Sequence, residues 1–282
     1  MNVALDALQQ HFQNEQHKLW GPTDPLQQTP EGISGFFAHL QLKSFFQPLL
    51  NATTLQPEAH EALLRPVDKS SGEYLPPAAA FNVASTAAEA VYLDRLCRAM
   101  HAANFVRQQP GQQELFLNVS GRHLVAVTRG HGQAFEELLM LCGLRPQQVV
   151  LEILEASVED LSLLQTAVEA YRKRGFRIAI DDFGCRHSNF DRLWQLTPDL
   201  VKLDRSLIEQ AVVNSRARLI LPKLIDMIHD LGARVVCEGI ETRSQHLNCV
   251  NAGADLLQGF YYARPQAHLS RGISVLEEAL LP

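Results

Sequence analysis

The chain has 282 residues, 46% of them hydrophobic and 20% charged, with a formal net charge of −6. That length suits one large α/β domain or two small ones, and the composition is that of a soluble globular protein. The acidic balance argues against a general nucleic-acid-binding surface, which reads basic.

The five cysteines, at 97, 142, 185, 237 and 249, form no C-x-x-C pair. They read as reduced thiols of a cytoplasmic protein rather than a disulfide framework. The histidines are scattered without H-E-x-x-H or a tight His/Cys cluster, which argues against a structural zinc site. The N-terminus mixes acids, amides and histidines and does not read as a signal peptide. No segment is apolar for long enough to span a membrane.

In chain order, residues 1–30 read as an N-terminal extension and 31–282 as one domain. Apolar spacing from Leu5 to Leu19 predicts a short helix, and GPTDPLQQTPEG reads as a linker. From about residue 42 short apolar runs alternate with amphipathic stretches. SFFQPLL, HEALL, LFLNV, VVLEI, RIAI, LVKL, ARVVC and LLQGFYY read as strands. LSLLQTAVEAYRKRG and ARLILPKLIDMIHDLG read as helices stopped by Gly175 and Gly232. This alternation predicts a parallel sheet with crossover helices, and the strand count predicts a TIM-like (β/α)₈ barrel.

The strand ends carry the chemistry. Glu61, Asn118, Glu152, Asp181 with Asp182, Lys202, Glu238 and Gln258 each stand at or near the end of one of seven consecutive strands. In a barrel those ends form one mouth. Five carboxylates against Lys202 leave −4, which two divalent cations balance. All-oxygen donors suit Mg²⁺ or Mn²⁺ better than Zn²⁺. Adjacent Asp181 and Asp182 need something positive between them, either a basic side chain or a metal ion that Asp181 bridges to a second.

In order, the motifs are QP at Gln47–Pro48, EALLR at Glu61–Arg65, N-x-S at Asn118–Ser120 and E-x-x-E at Glu152–Glu155. DDFG follows at Asp181–Gly184, then K-x-D at Lys202–Asp204, EGIE-T at Glu238–Thr242 and QGFYYARP at Gln258–Pro265. Together they resemble the EAL domain family of cyclic-di-GMP phosphodiesterases over Phe45 to Arg264. The resemblance implies a barrel whose first strand is antiparallel, and hydrolysis of cyclic di-GMP to linear pGpG with two Mg²⁺ or Mn²⁺ ions. It implies metal ligation by Glu61, Asn118, Glu152, Asp181, Asp182 and Glu238, with Glu155 supporting the loop. Lys202 would position the hydrolytic water, with Gln258 at the same centre and Glu61 and Glu238 in the catalytic set. Gln47, Arg65, Asp204 and Pro265 would bind substrate, Arg65 at a phosphate. The resemblance also implies a cytoplasmic homodimer. A catalytically weak or inactive cyclic-di-GMP receptor, or a protein-interaction regulator, is the alternative.

Two stretches depart from the family pattern. Cys185 to Phe190 replaces a TGYSSL-like loop, with Arg186 where glycine is usual. The segment between Ser70 and Phe105 also differs. An intact metal site with slow or tightly gated turnover is therefore expected.

Plainer roles stand beside these. Asp181–Asp182 suits a helix N-cap, Asn118 or Ser120 a turn cap, Arg65 a rim ion pair and Gln258 an ordinary buried amide. Cys185 and Cys237 suit packing better than redox sensing. His187 suits a loop surface rather than a metal. Phe260, Tyr261 and Tyr262 offer faces for guanine, with at least one expected in the barrel wall.

Overall fold

A computed structural model describes residues 2–16, 24–127, 130, 132–154, 160–185 and 190–272. Its strands are β1 (Leu26–Thr29), β2 (Gly32–Phe37), β3 (Leu40–Asn51), β4 (Pro57–Asp68), β5 (Glu114–Val119), β6 (Val149–Leu154), β7 (Arg177–Phe183), β8 (Leu200–Leu203), β9 (Arg234–Cys237) and β10 (Leu256–Leu257). The helices are α1 (Asn2–Gln16), α2 (Pro77–Val83), α3 (Ala87–Arg107), α4 (Gly121–Ala126), α5 (Gln133–Cys142), α6 (Leu161–Lys173), α7 (Asp191–Leu196), α8 (Arg205–Val213), α9 (Ser215–Asp230) and α10 (Arg243–Asn251).

β4 to β10 run parallel in sequential order. β3 closes the ring, antiparallel to both β4 and β10. The result is the eight-stranded barrel with a reversed first strand that the motif pattern implied. α5, α6, α8 and α9 bury one face each, as alternation of strand and amphipathic helix requires, whereas α3 is buried all round from Leu96 to Phe105. Gly175 and Gly232 follow α6 and α9 with φ of 92° and 82°, the left-handed conformation a helix stop needs. Among the described residues no helix is long and apolar enough to cross a membrane.

Two local expectations change, and a third runs past the described residues. Leu26–Thr29, whose polar composition reads as linker, is a strand because β2 supplies its pairing partner, Leu26 opposite Gly35. LLQGFYY is extended only at Leu256–Leu257. A Cβ at Gly259 would sit 2.0 Å from the Ile240 carbonyl oxygen, so the chain turns where only glycine fits. The N-terminal helix spans Asn2–Gln16, and its expected end at Leu19 lies outside the described residues. Its Leu8 and Phe12 are fully buried against the barrel's outer helices, Phe12 edge-on to Tyr92 with centroids 5.7 Å apart. Burying such side chains contributes about 1.5–3 kcal/mol each, enough to hold the helix in place.

Eight residues fill the lumen: Leu49, Ala59, Phe116, Val150, Ala179, Leu200, Val236 and Leu256. Each of the eight barrel strands supplies one, and none is more than 1% exposed. They form a dry floor. Side chains on a strand return to the same face every second residue. The next inward residues toward the mouth therefore follow by register alone, two positions later on β4 to β10 and two positions earlier on reversed β3.

Candidate active site

That rule selects Gln47, Glu61, Asn118, Glu152, Asp181, Lys202, Glu238 and Gln258. Every one is polar. The barrel thus carries a ring of polar groups directly above an apolar floor. The strand-end residues singled out in the sequence converge, and reversed β3 adds Gln47 to the ring.

Asp182 does not follow the rule, because a regular strand points adjacent side chains to opposite faces. The β7–β8 register slips between Ile180 and Phe183, where β7 carries one residue more than its partner. At this bulge Asp182 takes φ 57°, a left-handed conformation that Asp tolerates better than most residues. The distortion re-aims its carboxylate. One oxygen each of Asp181, Asp182 and Glu238 lies within 4.8 Å of the others. Among the described residues neither aspartate caps a helix: α7 starts at Asp191 and is preceded by Phe190.

Lys202, 1% exposed, stands among the acids. Its Nζ contacts Glu152 Oε1 at a very short distance, Glu238 Oε1 at 2.6 Å, Asp181 Oδ1 at 3.2 Å and Glu61 Oε2 at 3.5 Å. Asn118 bridges Glu61 and Glu152, its Nδ2 donating to both at 3.1 and 3.0 Å. Its side chain therefore joins the acidic ring. Gln258 Nε2 donates to Glu61 Oε2 at 2.8 Å and to Gln47 Oε1 at 3.4 Å, while Gln47 Nε2 donates to the Ala263 carbonyl.

One ammonium does not neutralise five carboxylates, and the proton affinities record the deficit. Burial, aided by Glu61, pushes Glu152 well above the carboxylate range against the pull of Lys202. Burial pushes Glu238 to about 8, with Lys202 pulling down and Asp181 pushing up. Burial and neighbouring Asp181 push Asp182 to about 6. Burial would raise Glu61 too, but Lys202, Gln258 and Asn118 together hold it below its ordinary value. Burial opposes the charge on Lys202, yet the surrounding carboxylates outweigh it and raise its pKa. A site that draws protons onto its acids lacks positive charge.

Divalent cations fit that lack. The donors are carboxylate and amide oxygens with no imidazole or thiolate, which suits Mg²⁺, Mn²⁺ or Ca²⁺. Gln258 Oε1 is buried and has no hydrogen-bond partner among the described residues.

A cleft of about 320 Å³ opens over this ring. Asp204 lines it and caps α8, accepting from Ser206 N at 3.0 Å. Phe260, 45% exposed, also lines it, with the Arg264 guanidinium stacked on its ring 4.3 Å from the centroid. Tyr261 and Tyr262 belong to the wall and pack on His246. Arg65 lies half-buried on β4, over the Phe45 ring and donating to the Leu64 carbonyl, in no ion pair among the described residues. Pro265 sits outside the cleft, next to Gln266, which pairs with Phe46 of β3. Cys237 and Cys249 are buried, and Cys185 is exposed. Glu155, Arg186 and His187 lie outside the described residues.

A family model described as "EAL domain" matches residues 32–265. The chain is 32% identical over 150 residues to the Escherichia coli protein named "Probable cyclic di-GMP phosphodiesterase PdeA", covering 53% of this chain and 19% of that protein. It is 29% identical over 140 residues to "Cyclic di-GMP phosphodiesterase RocR" of Pseudomonas aeruginosa, covering 49% of this chain and 36% of that one. The chain therefore spans about a fifth to a third of these curated relatives. Among solved structures it resembles Klebsiella pneumoniae BlrP1 in a calcium and cyclic-di-GMP complex (TM-score 0.72, 26% identity, 82% of this chain and 57% of that one). It also resembles the Pseudomonas aeruginosa FimX EAL domain bound to c-di-GMP (TM-score 0.73, 25% identity, 83% and 94%).

Proposed function

This chain belongs to the EAL domain family, and we propose that it hydrolyses cyclic di-GMP to linear pGpG at the mouth of its barrel, with two Mg²⁺ or Mn²⁺ ions. The observation that carries the reading is the ring of eight polar residues, one from each barrel strand, with an acidic surplus that one lysine leaves uncompensated.

In this reading Glu61, Asn118, Glu152, Asp181, Asp182 and Glu238 would hold the cations. Asn118, whose Nδ2 faces two carboxylates, offers its oxygen once the amide turns over. When bound, the cations supply Lewis acidity toward a phosphoryl oxygen and lower the pKa of water. The free Oε1 of Gln258 accepts a hydrogen bond from the attacking water, and Gln47 fixes the amide that carries it. Lys202 holds the carboxylates together and balances part of their charge. The water oxygen bonds to phosphorus as the P–O3′ bond breaks, and O3′ leaves with a proton. Phe260, held by Arg264, offers its face to one guanine, Asp204 faces the same cleft, and Arg65 at the rim offers its guanidinium to a phosphate.

Release of pGpG by the purified protein in Mg²⁺ or Mn²⁺, followed by chromatography, tests the reading. No product with either ion refutes it. Cyclic-di-GMP binding by calorimetry without turnover would instead make the protein a receptor, the reading that the departure at Cys185 to Phe190 favours. A homodimer belongs to the same proposal, and sedimentation velocity checks it.

A further inference from the structure

Gln258 and Phe260 stand on one short turn. Tyr262 N and Ala263 N both donate to the Gly259 carbonyl, and Tyr261 N donates to the Ile240 carbonyl at 2.9 Å. Gln258 Nε2, donating to Glu61 in the polar ring, anchors the turn where it starts, and the Ala263 carbonyl accepts from Gln47 where it ends. Between these anchors Phe260 leans into the cleft, 45% exposed, against the Arg264 guanidinium.

The same turn is tied to a helix. The Tyr262 hydroxyl and His246 Nδ1 share a hydrogen bond at 2.7 Å. The His246 ring also stacks on Tyr261, with centroids 5.8 Å apart and planes at 29°, and meets Tyr262 edge-on. His246 has a firm base near the start of α10, where a capping box joins Thr242 to Gln245. Gln245 is buried, and its Oε1 accepts from Glu241 N at 2.7 Å. Apolar side chains at 246 and 262 would fill the same space. A polar pair between two elements adds direction, because a hydrogen bond fixes one geometry where contact area does not.

We propose that His246 is a positioning residue for base recognition. Through Tyr262 it holds the turn of residues 259–263 so that Phe260 meets a purine face without first having to be ordered. The inference rests on the reading above for the ligand and for the stacking of guanine on Phe260, and not for the hydrolysis. Without the tie the turn has more conformations to lose on binding, and affinity falls by the fraction of time the turn spends in place. The acids and Gln258 keep their own bonds, so the chemical step does not change.

Tyr262→Phe and His246→Phe keep the rings and remove the hydrogen bond, with folding checked by circular dichroism. Calorimetry on the full chain in Ca²⁺, titrated with cyclic di-GMP, is expected to show each variant binding on the order of fivefold more weakly, the size of one net hydrogen bond. The double variant should bind no more weakly than either single one, because the same bond is lost once. Binding by Tyr262→Phe within about twofold of the parent overturns the proposal, and so do losses that multiply in the double variant. In Mn²⁺ the KM for cyclic di-GMP should rise by the same factor at unchanged kcat. A fall in kcat at unchanged KM would place the effect on the acids and overturn the proposal as well. If the parent binds cyclic di-GMP and releases no pGpG, the hydrolase reading falls while calorimetry still decides this one. If the parent binds none, both fall.

Discussion

Replacing Lys202 by Met removes the ammonium and keeps most of the side-chain volume. The loss is then electrostatic. Four carboxylates, on Glu61, Glu152, Asp181 and Glu238, lose the cation they face at 1% exposure. Breaking a buried ion pair on one side costs about 3–5 kcal/mol, because the charge left behind has no water to return to. At about 2–4 °C per kcal/mol for a chain of this size, the metal-free variant should melt about 10 °C below the parent. Thermal unfolding in a chelator measures this. Two controls sharpen it. Saturating Mn²⁺ should restore more stability to the variant than to the parent, because cations then supply the missing charge. Acidification should narrow the gap as the carboxyls take up protons. A metal-free variant melting within about 2 °C of the parent, under 1 kcal/mol on that scale, would refute the idea that this ammonium holds the acids together.

Three further outcomes follow from the same geometry. Glu238 at about 8 and Asp182 at about 6 lie above their ordinary values of 4.5 and 3.8, so the folded state keeps protons that the unfolded chain releases. That contribution is fully present below the unfolded values and is lost as pH rises through the folded ones. Metal-free protein should thus be less stable to urea at about pH 8.5 than at about pH 7, and the reverse order contradicts the assignment. The window lies above the range where His60 and His101, lowered by burial to about 4 and about 3, take part. At Asp182, φ 57° suits Asn and opposes a β-branched side chain. Asp182→Val should cost about 1–2 kcal/mol more stability than Asp182→Asn, by chemical denaturation, and equal stability would remove the strained turn from the account. Gly259→Ala brings a Cβ to 2.0 Å from the Ile240 carbonyl oxygen, which is backbone and cannot swing away. It should cost about 1–3 kcal/mol or more and displace Gln258, lowering melting temperature and turnover together.

Much of the barrel was legible because it rests on a period of two. Apolar runs ending in Glu152, Asp181 and Lys202 announce both the strands and what their ends carry. The sharing of one ring by those groups follows from closure of the sheet. The reversed first strand came from motif resemblance, since no local pattern reports strand direction. Alternation alone would have sent Asp182 away from Asp181. Only the slipped register at Ile180–Phe183 brings them together, and a bulge leaves no reliable mark in composition. β1 went unread because Gln27, Gln28 and Thr29 carry almost no apolar signal, and pairing with β2 decides their conformation.

Because β3 runs backwards, its first residue, Leu40, stands opposite Asp68 on the open rim, and its last, Asn51, reaches the floor. The hairpin of Leu26–Phe37 is consequently seated at the end of the barrel that carries the acidic ring. In a barrel whose first strand points the usual way, the polypeptide leading into it arrives on the far side, and a mechanical cue from there crosses the whole cylinder. Here the entry point and the polar ring share one end of the barrel, because the strand that the leading hairpin pairs with is also the one that carries Gln47.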